Sequence, residues 1–222
     1  MTYQVYRNFA LWMTILAPIA VAAEAEKKET PTEHRLRAAG VVFDEILASG
    51  DKGVPQGVLN RTLCIVIVPG VRNELVKVGA QRGKGFLICK TADLRDWSAP
   101  AAVQLDYPSA DSDLIVLAVS GKSASTMMNS KLTLEGVVAG PIGRDDTPAT
   151  DLLAYTRMRG ALAGIALSGV IMRQDAAGNR DLYGRTQDNQ EIVQGQTTPP
   201  RASRRLFNAL TRFAPEEAVE KH

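Results

Sequence analysis

Residues 63–70 read Leu-Cys-Ile-Val-Ile-Val-Pro-Gly. Ile65 to Val68 are all β-branched, and Pro69-Gly70 closes the run. An unbroken apolar run of this length, stopped by turn residues, is the pattern of a buried strand. Further runs lie outward from it. Phe86-Leu-Ile-Cys89 is a second strand, Trp97-Ser-Ala-Pro100 opens a third over Ala101 to Leu105, and Leu114 to Val119 is a fourth. Lys131 to Val138 alternates apolar and polar residues, as a half-buried strand does. Leu152–Met158 and Ala161–Met172 add two more. Strands do not alternate with long crossover helices, which argues against a doubly wound parallel sheet. The expected fold is α+β: a curved, mostly antiparallel, half-barrel-like sheet with an N-terminal amphipathic helix and short C-terminal helices.

The first helix announces its own start. Thr30 is a cap, Pro31 stands at the first helical position, and Glu33 completes a capping box. Leu36, Ala39, Val42, Phe43, Ile46 and Leu47 then recur at helical spacing over 32–48. Ser49 to Gly53 ends it with turn chemistry. Shorter helices are expected at Pro55–Arg61, at Ser123–Ser130 with Met127 and Met128 facing in, and from Gln190 to Val193. Asp175 to Gly178 reads as a turn, and Thr197 to Arg201 as a linker. Ser203–Phe213 reads as a terminal helix, with Leu206, Phe207, Leu210 and Phe213 on one face and Arg204, Arg205 and Arg212 around it.

The chain begins with a weakly basic segment, Met1 to Arg7, followed by an apolar run from Phe9 to Ala23. That run is short for a membrane span, Pro18 interrupts it, and Ala20-Val21-Ala22 fits a small-residue cleavage site. The expected organisation is a signal peptide over 1–22, a flexible leader over 23–31, a domain over 32–195, and a linker with a helical tail over 196–222. The protein is then periplasmic or secreted, peripheral to a membrane. Its 26 Lys+Arg nearly balance 24 Asp+Glu, which argues against a nucleic-acid binder. Cys64 and Cys89 are the two cysteines. In an exported chain they can form a disulfide, or they can be two buried thiols.

Catalytic raw material is scarce. His34 and His222 are the only histidines, one at the start of a helix and one at the last residue. Neither a Ser-His-Asp site nor zinc-ligand spacing can be assembled from them. Gly121-Lys122-Ser123 lacks the leading glycine of a phosphate loop, and Gly83-Lys84-Gly85 lacks the third glycine of a dinucleotide fingerprint. Asn60-Arg61-Thr62 is a formal glycosylation acceptor. No catalytic residue, metal ligand or cofactor is assigned; the chain reads as a non-catalytic binding or structural module.

Several segments, in order, resemble the SYLF domain family. They are Arg35–Leu47 with Asp51-Lys-Gly-Val-Pro55, Leu63–Val71, Arg82–Lys90, Trp97–Ala101, Asp113–Leu117, Ser130–Leu134, Ala139–Arg144, Ala154–Gly169 and Leu182–Arg185. Together they cover roughly residues 35–195. The segment 103–112 departs from the family by being shorter and poor in glycine. The resemblance implies lipid binding, with actin association in eukaryotic members, and the leader marks this chain as a divergent bacterial one. Actin is not an expected partner of an exported protein. The expected partner is an anionic membrane lipid or phospholipid, with an envelope protein as the alternative. The lipid-facing candidates are Arg35 and Arg37 on the first helix, Lys52 in the following turn, Arg82 and Lys84 between glycines that could admit a phosphate, and Arg201, Arg204 and Arg205 in the tail.

Overall fold

The computed structural model describes residues 28–49, 52–70, 82–108, 112–142, 150–158 and 160–213. The expected signal peptide lies outside the described residues. The elements are α1 (Pro31–Leu47), α2 (Gln56–Arg61), β1 (Cys64–Val68), β2 (Arg82–Cys89), β3 (Ala101–Pro108), β4 (Asp113–Ala118), α3 (Gly121–Met127), β5 (Lys131–Leu134), β6 (Val138–Ala139), β7 (Leu152–Met158), β8 (Ala161–Gly164), β9 (Val170–Gln174), α4 (Ala176–Tyr183), α5 (Asn189–Gln194) and α6 (Arg204–Phe213).

Nine strands form one curled sheet in the order β5-β9-β3-β2-β1-β4-β7-β6, with β8 also pairing with β7. Every pairing is antiparallel except β6 with β7. β1 lies at the centre and is buried along its whole length, which is why its sequence is an unbroken apolar run rather than an alternating one. Ile65, Ile67, Phe86, Ile88, Leu117 and Tyr155 pack on one face, under α1, α2 and α6. Val66, Val68, Leu87, Val103, Leu114 and Val116 pack on the other, against Met127 of α3 and Ile192 and Val193 of α5. The α+β half-barrel expected from the sequence is therefore the fold.

Cys64 lies directly opposite Cys89 on β1 and β2. Their Cα atoms are 4.0 Å apart and the sulfurs are joined. This is the close spacing of a non-hydrogen-bonded antiparallel pair. Of the two states left open by the sequence, the bond is the one formed.

Helix α1 starts as its sequence dictates. The Thr30 hydroxyl accepts from the Glu33 amide, and the Glu33 carboxylate accepts from the Thr30 amide. Leu36, Ala39, Phe43 and Ile46 are sealed in the core. An apolar face spent on the sheet cannot also enter a bilayer, so α1 is not an inserting helix in this fold. Helix α6 is docked as well: Leu206, Ala209 and Leu210 are fully buried. It crosses α1 closely at Gly40, where an added Cβ would sit 2.8 Å from the Leu206 amide nitrogen.

Several boundaries depart from the sequence reading. Lys131–Val138 is not one strand: Gly136, at φ +65°, breaks it into β5 and β6. Ala161–Met172 divides into β8 and β9, with Gly169 at φ +70° between them. Asp175–Gly178 is not a turn but the first turn of α4, with the Asp175 carboxylate accepting from the Gly178 amide. Arg82 and Lys84 lie inside β2. The short, glycine-poor segment after Trp97 still supplies a full strand, β3.

Candidate functional site

Helix α1 presents three distinct faces. One is in the core and a second carries Gly40 and Asp44, which meet α6. The third lines an open groove of about 460 Å³. Its walls are the side chains of Ala38, Val41, Val42 and Pro69, with His34 and Arg35 towards one end and Glu45 towards the other. Ten residues separate Arg35 from Glu45, a helical rise of about 15 Å.

The Glu45 end is closed by a buried ion network. Arg157 of β7 sits opposite Asp113 of β4, and their side chains are only 8% and 3% exposed. Arg157 Nη2 lies 2.8 Å from Asp113 Oδ2, and Nη1 donates to Glu45. Asp113 Oδ1 accepts from the Gly70 amide at 2.8 Å. Burial alone would push the Arg157 guanidinium down; its hydrogen bonds to Asp113 and Glu45 outweigh that and hold it above its ordinary value. Removing either partner would strand a buried charge, at a cost of about 3–5 kcal/mol. The network therefore fixes the strands beneath α1, and its two carboxylates outnumber the one guanidinium.

Arg35 is different. It is half-buried, and burial lowers its guanidinium pKa against the attraction of Asp175 and Asp181. Among the described residues no carboxylate closes a salt bridge with it.

The other sequence candidates are dispersed. Lys84 Nζ is 2.8 Å from Asp175 Oδ2, so it ties β2 to the cap of α4. Arg82 pairs with Asp106 at 2.8 Å. Gly85 answers to strand crowding and not to a phosphate, since a Cβ there would lie 2.1 Å from the Ile67 carbonyl oxygen. Arg82 and Lys84, expected between phosphate-admitting glycines, are strand residues paired with carboxylates. Arg37 is exposed and paired with Glu29. Lys52 is exposed in the turn after α1.

The tail arginines are brought together. Arg201 stands on a short 3-10 turn running directly into α6, and Arg201, Arg204, Arg205 and Arg212 are all exposed. Arg205 reaches Asp44 Oδ2 at 3.2 Å, and Arg212 holds the other oxygen. Burial nudges the Asp44 carboxyl up, but the hydrogen bonds from Arg212 and Arg205 bring it below the usual range. Arg201 and Arg204 have no ion pair among the described residues. Arg37 lies one turn from Gly40 on the same flank of α1, so the stripe extends across both helices.

Three further motifs are decided. Thr62 of the glycosylation triplet is 1% exposed, and its hydroxyl donates to the Val58 carbonyl, so the triplet is part of a helix end. Trp97 is a core residue, with the Lys90 ammonium 4.9 Å above its ring. Among the described residues no cluster of His, Cys, Asp and Glu could hold a metal, and no helix is long and apolar enough to cross a membrane. The buried Arg157–Asp113 pair was missed from sequence. Its members are 44 residues apart, and only strand register brings them together.

Comparison with known proteins gives a consistent set of relatives. The family model Ysc84, described as "Las17-binding protein actin regulator", matches residues 109–213. LAS seventeen-binding protein 3 of Saccharomyces cerevisiae is 25% identical over 203 residues, covering 83% of this chain and 44% of that protein. The SH3 domain-containing YSC84-like protein 1 of Bos taurus is 25% identical over 197 residues, covering 80% of this chain and 57% of that protein. The Homo sapiens protein of the same name is 25% identical over 190 residues, covering 77% and 55%. The chain spans about half the length of these curated relatives. The yeast relative and the family model are both named for binding.

Proposed function

From its membership of the SYLF (Ysc84) domain family, we propose that this chain is a non-catalytic phospholipid-binding protein of the bacterial cell envelope, acting at a membrane surface. The observation that carries the reading is the arginine stripe on α6. The apolar face of that helix is buried, so its outward face carries cations beside Asn208 and Thr211 and no carboxylate of its own: Arg201, just before the helix, and Arg204 are unpaired among the described residues, and Arg205 and Arg212 share one carboxylate. Each basic residue close to an anionic membrane contributes about 1 kcal/mol. Two to four such residues give weak, reversible, salt-sensitive attachment without insertion. In a chain of net charge +2 this is local charge, well suited to a surface.

Export is part of the proposal. It rests on the leader ending in Ala20-Val21-Ala22, and the Cys64–Cys89 bond is the kind of link that persists in an oxidising compartment. Actin and Las17 belong to the family model's description, and an exported chain would not meet them.

Purified mature protein should pellet with vesicles containing phosphatidylglycerol and not with pure phosphatidylcholine. The Arg201→Glu/Arg204→Glu variant should stay in solution, as should the native protein in high salt. Equal pelleting with both vesicle types at low salt would sink the reading. The relatives' names favour a second reading, a protein-binding module of the envelope. A single stoichiometric protein partner recovered without lipid would support it.

A further inference from the structure

The groove on α1 is separate from the α6 stripe: it lies on the opposite flank of the same helix. We propose that this groove takes one acyl chain of an anionic phospholipid, with the phosphate held at its Arg35–His34 end. This rests on the lipid reading above but adds a second, monomeric site to it.

The groove is built as an amphiphile would need. Its volume of about 460 Å³ falls within the range of small-molecule pockets. Among the described residues, its middle presents the apolar side chains of Ala38, Val41, Val42 and Pro69. A peptide laid along that middle would lose water from its backbone and meet no polar side chain there among the described residues; a hydrocarbon chain loses nothing of that kind. Charge is distributed unequally along the groove. At the far end one guanidinium, Arg157, meets two carboxylates, Asp113 and Glu45, an excess of negative charge that turns a phosphate away from that end. At the near end, Arg35 carries a guanidinium without a bonded carboxylate among the described residues, partly desolvated, and His34 stands beside it. A guanidinium is shaped to grip a phosphate with two parallel N–H donors, and a half-buried one does so under less screening than the exposed arginines of α6. The polarity of the site therefore fixes the direction of the ligand, headgroup at Arg35 and tail towards Arg157.

Dihexanoyl phosphatidylglycerol, used below the concentration at which it forms micelles, tests this without a membrane. Native mass spectrometry and calorimetry should show one molecule bound per chain. Ala38→Trp and Val41→Trp each fill the groove and should weaken uptake by roughly tenfold or more, while circular dichroism and sedimentation with phosphatidylglycerol vesicles stay as in the native protein. Arg35→Met should retain the chain but lose the preference over dihexanoyl phosphatidylcholine. The proposal is overturned if the native protein pellets with vesicles yet takes up no monomer, or if both folded tryptophan variants bind as well as the native protein. Monomer uptake by a protein that fails to pellet would leave the groove standing and remove the surface reading instead.

Discussion

Replacing both cysteines, Cys64→Ala with Cys89→Ala, gives the sharpest quantitative test of the fold. The bond closes a loop with a sequence separation of 25. Loop-closure entropy for that length is about 11.7 cal/mol/K, or about 3.5 kcal/mol at 25 °C. The side chains are fully buried, so losing their sulfurs adds a cavity cost that does not depend on the cross-link. Comparing the double variant with native protein that has been reduced while unfolded and then refolded separates the two effects. With a urea slope of about 2 kcal/mol/M for a domain of this size, the reduced protein should show a midpoint lower by roughly 1.5–2 M, and the double variant one lower still. The reduced protein should also unfold with a steeper slope, because its denatured chain exposes more surface. A midpoint change below about 0.5 M on reduction would refute the entropic argument. Two free thiols in native protein taken from an oxidising compartment would refute the bond itself.

Other consequences can be read from single side chains. Gly40→Val should destabilise the protein by about 2 kcal/mol and speed hydrogen exchange in α6, because the new side chain meets Leu206 backbone that cannot step aside; unchanged exchange in α6 would count against close docking. The Asp175 carboxyl is pushed up by burial, but Lys84 and the Gly178 amide outweigh this and leave it below its ordinary value. Its contribution is therefore complete above an unfolded pKa of about 3.9 and is lost as pH falls through the lower native value. Lys84→Met should cost about 1–2 kcal/mol at neutral pH, screened because Lys84 is itself 40% exposed, and urea melts should show the gap narrowing below about pH 4; a gap that widens in acid would exclude the pairing as its source. Among the described residues the buried Tyr155 hydroxyl has no hydrogen-bond partner, and its ring is pressed against Gly140. Tyr155→Phe should leave thermal stability unchanged or raise it by about 1 kcal/mol, and a clear loss would mean that the hydroxyl has a use.

What could be read in advance was what is local in the chain. The β-branched run Ile65–Val68 and the Thr30–Glu33 box each contain their whole explanation within a few residues, and both were legible. So were the buried positions of the tail helix, since Leu206 and Leu210 repeat at helical spacing. Helix α4 was not. Its sequence carries Gly178 and Asn179, poor helix formers, and it is held from outside: the Asn179 side-chain Oδ1 accepts from the Ala102 backbone amide at 2.6 Å and its Nδ2 donates to Asn189 Oδ1. The candidate cations divide in the same way. Nothing near Lys84 in sequence reveals Asp175, 91 residues later, so a structural tie looked like a free charge. Nothing near Arg35 reveals the groove, because its other wall comes from the ends of β1, β4 and β7.

The crossing of α1 and α6 also constrains the order in which the molecule can come together. Asp44 meets Arg205 across 161 residues of sequence, so the first helix of the domain is completed by the last. A chain emerging from a ribosome or a translocation pore must carry Leu36, Ala39 and Phe43 incompletely covered until nearly all of it is free. Contacts of such long range make folding slow and leave apolar surface open to aggregation in the interval. Helix α6 thus acts as a timing element: the apolar face of α1 is fully covered only when the turns that carry Leu206 and Leu210 arrive.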